Sequence, residues 1–317
     1  MNTNKYAIAI DLGGTSIKFA LVDGEGNFLF SDKIPARADE SADAVVEQLV
    51  KAVKLTKAYA DQHNLPVKGV GIGTPGIIDT TNRIVLGGAD NIKGWENLPL
   101  ADIMERQTEL PVFLNNDANL MGLGETHYGA GKGCTHVVFL TIGTGIGGAI
   151  IINGELFNGF DNRGTELGHT PLFTDGEPCN CGSVGCLETY ASTSALVRSF
   201  VKANKEAGKE IPEEEANGIT IVKLYKEGDA IATKCLDDHC YYLGRGIAGF
   251  INIFSPQRIV IGGGLSEAGD FYIEKIREHA MKNAMKDTSV NTVVMGATLG
   301  NKAGCMGAAY LVFSLTD

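Results

Sequence analysis

One arrangement of strands and turns occurs twice in the chain, and it restricts the possible folds more than any other feature. The first copy starts at Tyr6 and reads YAIAIDLGGTSIKFALVDGEGNFLF; the second starts at Val137 and reads VVFLTIGTGIGGAIIINGELFNG. Each copy has an apolar strand, a Gly/Thr turn, a second apolar strand, a hairpin turn and a third strand. Asp23-Gly24 and Asn153-Gly154 mark the hairpins, because these dipeptides accept positive φ. The repetition predicts two duplicated domains that face each other.

Mixed α/β structure is expected in the rest of the chain. Ser41 to His63 and Ile231 to Phe254 have the apolar periodicity of helices. The length of 317 residues is sufficient for two domains. We expect a small α/β domain over 1–117, completed by a closing helix at about 302–317 that packs back on it. A large α/β domain is expected over 118–301.

Charge and composition exclude several classes of function. A net charge of −11 argues against nucleic acid as a partner, since nucleic-acid binders need a basic surface. The start of the chain lacks the pattern of a signal peptide. The most apolar stretch, Val137 to Ile152, is interrupted by glycines and does not read as a membrane span. We therefore expect a cytoplasmic protein with no membrane partner, in which the seven cysteines form no structural disulfides.

The Gly/Thr turns are candidate phosphate sites. In Asp11 to Thr15 (DLGGT) a glycine pair and a hydroxyl can present several N–H groups to one anion, and Asp11 could hold Mg²⁺. Thr141 to Gly145 (TIGTG) is the equivalent turn of the second copy. A third turn at Gly262 to Gly264 could lie against adenosine. The alternative for each is an ordinary turn without a ligand.

These turns resemble those of the sugar-kinase/actin-like ATPase superfamily. The resemblance covers essentially the whole chain. It implies two duplicated actin-like, ribonuclease-H-like α/β domains with ATP in the cleft between them.

A candidate general base follows the predicted strand LPVFL. Asn115, Asn116 and Asp117 stand at its end, just before a helical stretch. Phosphoryl transfer to an alcohol needs a carboxylate that accepts the hydroxyl proton, which suits Asp117, and a polar group such as Asn116 to orient the sugar. The alternative is helix capping, for which both residue types are suited. The nearby glycine-rich loop ending at Gly76 could line the same sugar pocket.

A third motif, GHTPLFTDGEPCNCGSVGCLE, is a candidate metal site. His169, Cys179, Cys181 and Cys186 are four ligands of the types found in tetrahedral Cys₃His zinc sites. Because all four positions would be protein ligands, the zinc is expected to be structural. A metal-free cysteine-rich loop is the alternative.

Two glutamates flank this motif. Glu166 precedes His169 by three residues, and Glu188 follows Cys186 by two. A metal that fixes both ends of the loop could orient the two carboxylates toward sugar hydroxyls, with the second ring nitrogen of His169 beside them. The alternative is a pair of solvated glutamates near a zinc knuckle.

The combination of ELGH, CNCGSVGCLE and DLGGT resembles the ROK family of sugar kinases and sugar-responsive repressors. The resemblance implies that Asp117 is the catalytic base, that His169 and the three cysteines hold zinc, and that many members are dimers or tetramers. The residues expected to contact the hexose are Gly76, Asn116, Asp117, Glu166, His169 and Glu188. The residues expected to hold ATP are Asp11, Gly13, Gly14, Thr15, Lys18, Thr141, Gly143, Thr144, Gly145, Gly262, Gly263 and Gly264.

Kinase and repressor are the two competing functions. Repressors of the family carry an N-terminal winged helix, whereas only five residues precede Tyr6, so we expect an enzyme. The expected reaction is phosphorylation of the 6-hydroxyl of a hexose, with glucose as the first choice. A kinase for N-acetylmannosamine, N-acetylglucosamine or fructose is the alternative. A homodimer or homotetramer is expected.

Overall fold

The computed structural model describes residues 5–89 and 92–316 of the chain. The ends of the predicted small domain, residues 1–4 and 317, lie outside this part. The described strands are β1 Tyr6–Leu12, β2 Ser16–Asp23, β3 Phe28–Pro35, β4 Val67–Thr74, β5 Ile77–Asp79, β6 Ile84–Gly87, β7 Val112–Asn116, β8 Val137–Ile142, β9 Ile146–Ile152, β10 Glu155–Leu156, β11 Arg258–Gly262 and β12 Val293–Gly296. The described α-helices are α1 Ala42–Gln62, α2 Leu100–Thr108, α3 Asp117–Tyr128, α4 Leu187–Ala191, α5 Thr193–Glu206, α6 Gly218–Lys226, α7 Ala230–Phe254, α8 Asp270–Asn283, α9 Lys286–Ser289 and α10 Ala303–Thr316.

The two large sheets have the same topology. The first has the strand order β3-β2-β1-β4-β7 and the second β10-β9-β8-β11-β12. In each, three antiparallel strands are followed by two parallel ones, and the central strand pairs with both groups. The predicted duplication and the α/β fold class are therefore confirmed.

Helices α3 and α10 fill the space between the two sheets. The shared core includes Ala7 and Ala9 from the first sheet, Val137 and Phe139 from the second, and Ala308 from α10. On the opposite face of β1, larger side chains such as Ile8 and Ile10 join the core that contains α1 and α2. The period of two in β1 thus separates a small-residue face under α10 from a large-residue face under α1. Helix α10 packs on the first sheet.

Glycines allow this middle layer to form. A Cβ at Gly307 would overlap the carbonyl oxygen of Leu120 in α3, and one at Gly71 in β4 would overlap the carbonyl oxygen of Ala308. The backbones of α3, α10 and β4 therefore touch directly. Asp117, the first residue of α3, is consequently held against the first sheet.

The hairpin prediction is correct for one copy and wrong in detail for the other. Asn153 and Gly154 both have positive φ, at 56° and 83°, as the Asn-Gly signal predicts. In the first copy the positive φ belongs to Gly26 rather than Gly24. The Asp23 carboxylate accepts the N–H groups of Glu25 and Asn27, so its side chain builds a longer turn.

Both predicted long helices are present, with side-chain caps. Ser41 accepts the N–H of Ala44 to begin α1, and Asp229 accepts the N–H of Ala232 to begin α7. Among the described residues, none of the helices combines the length and apolarity needed to cross a bilayer.

We expect Gly307→Ala to lower the free energy of unfolding by about 1–3 kcal/mol, because the added methyl group meets backbone that cannot move aside. The measurement is the urea midpoint followed by circular dichroism. Gly249→Ala in α7 is the control: its Cβ would meet no neighbouring atom, so helix propensity should raise stability by up to about 1 kcal/mol. Equal stability of Gly307→Ala and wild type would contradict the close packing.

Candidate active site and metal cluster

Strand β7 runs directly into helix α3, and this junction carries the candidate base. No separate turn lies between them, because Asn116 ends the strand and caps the helix. Its Oδ1 accepts the N–H groups of Ala118 and Asn119, and its Nδ2 donates to the carbonyl of Gly76 at 3.0 Å. Capping and site formation are therefore compatible: Asn116 does both, and it holds the Gly76 loop beside Asp117.

A cavity opens at this junction, between the two sheets. Its lining includes four of the six predicted hexose residues, namely Gly76, Asn116, Asp117 and Glu166. Gly147 and Gly148 of β9 line its opposite side. The two halves of the chain therefore contribute to one pocket.

Asp117 is half-buried, and its pKa is raised to about 6. Burial is the largest cause, and the carboxylates of Asp11 and Glu166 add to it; the N–H of Ala118, which donates to the carboxylate, opposes the shift. At neutral pH the group is mostly ionised, yet close enough to its pKa to accept a proton readily.

Several polar residues of the pocket were missed by the sequence analysis. Asn119 Nδ2 donates to Asn115 Oδ1 at 3.0 Å, and Thr165 Oγ1 lies 3.4 Å from Asn119 Oδ1. Asn158 and Asn162 also line the cavity. The backbone of Thr165 has φ of 69°, which is rare for a β-branched residue. Only the four-residue spacing of Asn115 and Asn119 signalled any part of this network.

Two adjoining cavities contain most of the predicted nucleotide residues. One, of about 450 Å³, is lined by Asp11, Lys18, Thr141 and Gly262 to Gly264. The other, of about 960 Å³, is lined by Gly143, Thr144 and Gly264 together with parts of α5 and α6. Gly264 belongs to both linings. Gly263 has φ of 94° and lies directly against the backbone of Ile142, so this position requires glycine.

Gly13, Gly14 and Thr15 of the first Gly/Thr turn do not enter these linings. Gly13 closes the turn through its N–H, which donates to the carbonyl of Ser16 at 3.0 Å. Gly14 and Thr15 are exposed at its tip. Their predicted contact with ATP phosphates stays a prediction.

Asp11 lies below that turn and is buried. Burial raises the pKa of its carboxyl group, and Lys18, whose Nζ lies 3.7 Å away, opposes the rise. Lys18 Nζ also donates to Asn301 Oδ1 at 3.1 Å. Carboxylate oxygens are ligands that Mg²⁺ prefers, and the carboxylate of Asp11 lines a cavity with room beside it.

His169, Cys179, Cys181 and Cys186 converge as predicted. Their candidate ligand atoms all lie within 4.8 Å of one another. Cys181 Sγ and Cys186 Sγ are 3.7 Å apart, and Cys179 Sγ is 3.6 Å from His169 Nδ1. Zn–S bonds of about 2.3 Å give tetrahedral S–S edges of about 3.8 Å, so the residues fit a zinc ion.

Glu188 connects this cluster to the second Gly/Thr turn. Its Oε2 accepts the N–H of Ile146 at 3.1 Å, and a Cβ at Gly145 would collide with the same oxygen. Its Oε1 lies 3.6 Å from Cys179 Sγ. Neither Glu188 nor His169 lines the cavity that contains Asp117. Their predicted contact with a hexose stays a prediction.

Comparison with known proteins agrees with this arrangement. The sequence model of the ROK family matches residues 7–314. A glucokinase of Halalkalibacterium halodurans is 34% identical over 317 residues, covering 98% of this chain and 96% of the relative. A xylose repressor of Caldicellulosiruptor bescii is 31% identical over 312 residues, covering 97% of this chain and 78% of the repressor.

A solved structure extends the likeness to three dimensions. The crystal structure of a ROK family glucokinase from Streptomyces griseus, in complex with glucose and AMPPNP, has a TM-score of 0.82 and 33% identity. The alignment covers 98% of this chain and 99% of the glucokinase. The repeated sheets, the Asn116–Asp117 junction and the Cys₃His cluster thus occur together in a chain that belongs to the ROK family.

Proposed function

We propose that this protein is an ATP-dependent hexokinase that phosphorylates the 6-hydroxyl of glucose. The position of Asp117 is the main support for this function. The negative charges of Asp11 and Glu166 both raise its pKa. Glu166 lines the pocket proposed for the sugar, and Asp11 lines the cavity proposed for the nucleotide. A carboxylate placed between an alcohol and a triphosphate is what proton removal during phosphoryl transfer requires.

The proposed roles follow from the contacts of each side chain. Asp117 accepts the proton of the 6-hydroxyl as the oxygen attacks the γ-phosphorus, while Asn116 keeps the Gly76 loop in place through its bond to that carbonyl. Gly143, Thr144 and Gly264 offer backbone surface to the nucleotide. Asp11 would hold Mg²⁺, which neutralises charge on the phosphate oxygens when bound.

Glucose is supported by the relatives. The 34% identical protein is a glucokinase, and the 33% identical structure holds glucose and AMPPNP. Family membership alone does not separate kinases from repressors, since a xylose repressor also matches. The ionisable Asp117 favours catalysis. N-Acetylmannosamine, N-acetylglucosamine and fructose are the competing substrates.

The metal proposed for the Cys₃His cluster is a structural zinc ion. His169 and the three cysteines would supply all four ligands, which leaves no open position for substrate. Through Glu188 and the N–H of Ile146, the ion would stiffen the turn that borders the nucleotide cavity.

We further propose that residues 1–117 with 302–317 and residues 118–301 act as two lobes. Closure of the lobes would exclude water and suppress hydrolysis of ATP. A cytoplasmic location and a homodimer or homotetramer are part of the same proposal.

A coupled ADP-release assay across a hexose panel tests the function. We expect the highest kcat/KM with glucose, because the full-length relatives named above act on or bind it. Fructose, N-acetylmannosamine and N-acetylglucosamine are the comparison substrates. ADP release that does not depend on any hexose would contradict the proposal.

We expect Asp117→Asn to lower kcat by about 10²- to 10⁴-fold while the KM for glucose changes little, because the amide keeps the shape but cannot take a proton. Steady-state kinetics measure both constants. Asp43→Asn is the control, since Asp43 is an exposed aspartate in the first turn of α1. Near-normal kcat in Asp117→Asn would contradict the role as base.

The pH profile of the wild type gives an independent reading of the same group. Since the pKa of Asp117 is raised to about 6, the base is protonated below that pH. We therefore expect kcat/KM to fall about tenfold per pH unit below pH 6 and to level off above it. A profile that is flat from pH 5 to 7 would contradict the assignment.

We expect Cys181→Ser to release the zinc ion and lower the melting temperature, because one of four ligands is lost. Elemental analysis should find one zinc per wild-type chain and much less in the variant. Cys134→Ser is the control, since this half-buried cysteine lies outside the cluster. Purified wild type without zinc would contradict the proposed ion.

A further inference from the structure

Glu125 is a fully buried carboxylate that neither the sequence analysis nor the proposed mechanism uses. It lies in α3, and its side chain is 0% exposed. Its Oε1 accepts the N–H of Leu299 at 2.7 Å and that of Thr298 at 3.0 Å. Its Oε2 accepts the N–H of Ala130 at 2.8 Å, just beyond the helix. Both oxygens are therefore occupied by main-chain donors.

The loop that Glu125 holds forms a wall of the smaller nucleotide cavity. Glu125, Thr298, Gly300 and Asn301 all line this cavity, opposite Thr141. The loop connects β12 to α10, and it is distant from Glu125 in sequence by more than 170 residues. The carboxylate of Glu125 links this loop to the helix that begins at Asp117.

The same loop also positions the charged groups near Asp11. Asn301 Oδ1 accepts a hydrogen bond from Lys18 Nζ, and Gly304 lies against the Asp11 carboxylate, where a Cβ would be only 2.7 Å from Cγ. Gly304 lies in the first turn of α10, directly after this loop. A shift of Thr298 and Leu299 would therefore move Asn301, the hydrogen-bond partner of Lys18.

We propose that Glu125 is a positioning residue for the nucleotide. Its carboxylate fixes the wall at residues 297–301 to α3, eight residues or about 12 Å along the helix from Asp117. The wall of the nucleotide cavity is thereby kept at a fixed distance from Asp117. The inference rests on the proposed kinase function and adds a residue to it.

Glu125→Gln tests the role with little change of shape. The amide replaces one acceptor oxygen with an NH₂ group that faces main-chain N–H donors, so the loop loses part of its anchor. We expect the KM for ATP to rise tenfold or more while the KM for glucose stays within twofold. Calorimetric titration with ATP alone should show the same loss of affinity.

Glu105→Gln is the matched control. Glu105 is a carboxylate on α2 that accepts the N–H of Val112 at 2.9 Å, but it lies outside both nucleotide cavities. We expect its two KM values to match those of wild type. A merely structural role of Glu125 would raise both KM values together. That outcome, or unchanged ATP affinity in folded Glu125→Gln, would overturn the proposal.

Hydrogen exchange of the wild type covers the case in which Glu125→Gln does not fold. Addition of AMPPNP should slow exchange of the Thr298 and Leu299 amides, and glucose alone should not. If the exchange rates of these two amides stayed the same after addition of AMPPNP, the proposal would be overturned. A wild type that binds ATP but phosphorylates no hexose would contradict the proposed function instead, and the ATP titrations would still decide the role of Glu125.

Discussion

The direct backbone contact between α3 and α10 is the constraint on which the rest of the structure depends. Gly307 lies against the carbonyl of Leu120, and Gly71 of β4 lies against that of Ala308. Side chains at these positions would separate the helices and widen the layer between the sheets. Because α3 begins at Asp117 and α10 covers β1, this contact sets how far the base lies from Asp11 at the end of β1. Glycines in the core therefore determine where Asp117 lies relative to Asp11.

Four carboxylates around this layer have different surroundings, and the differences separate their roles. Asp117 is half-buried near two other acidic groups, which raises its pKa and suits proton transfer. Asp11 has Lys18 beside it and open cavity before it. Both oxygens of Glu125 and Oε2 of Glu188 instead accept main-chain N–H groups. Groups saturated by backbone donors hold loops in place, whereas the two facing cavities are available to ligands.

The sequence predicted those parts of the fold that local patterns determine. The duplicated strands, the helix that follows Ser41 and the Asn153-Gly154 turn depend on neighbours within a few residues. The four residues of the Cys₃His group, which could hold a metal ion, likewise lie within one short stretch of sequence. Glu125 escaped detection because its partners lie near residue 298, and no local pattern marks a contact of that range. The Asn119–Thr165 network was missed for the same reason, since its loop holds an unfavourable backbone conformation that only tertiary contacts sustain.

The position of Glu188 changes how the metal cluster relates to the two substrates. The sequence led to the expectation that the cluster would aim both flanking carboxylates at the sugar. In the structure Glu166 lines the pocket of Asp117, but Glu188 turns away and binds the main chain at Ile146, behind Gly145. The stretch that carries His169 and the three cysteines therefore reaches the cavity of Asp117 through Glu166 at one end and the turn at Gly145 through Glu188 at the other.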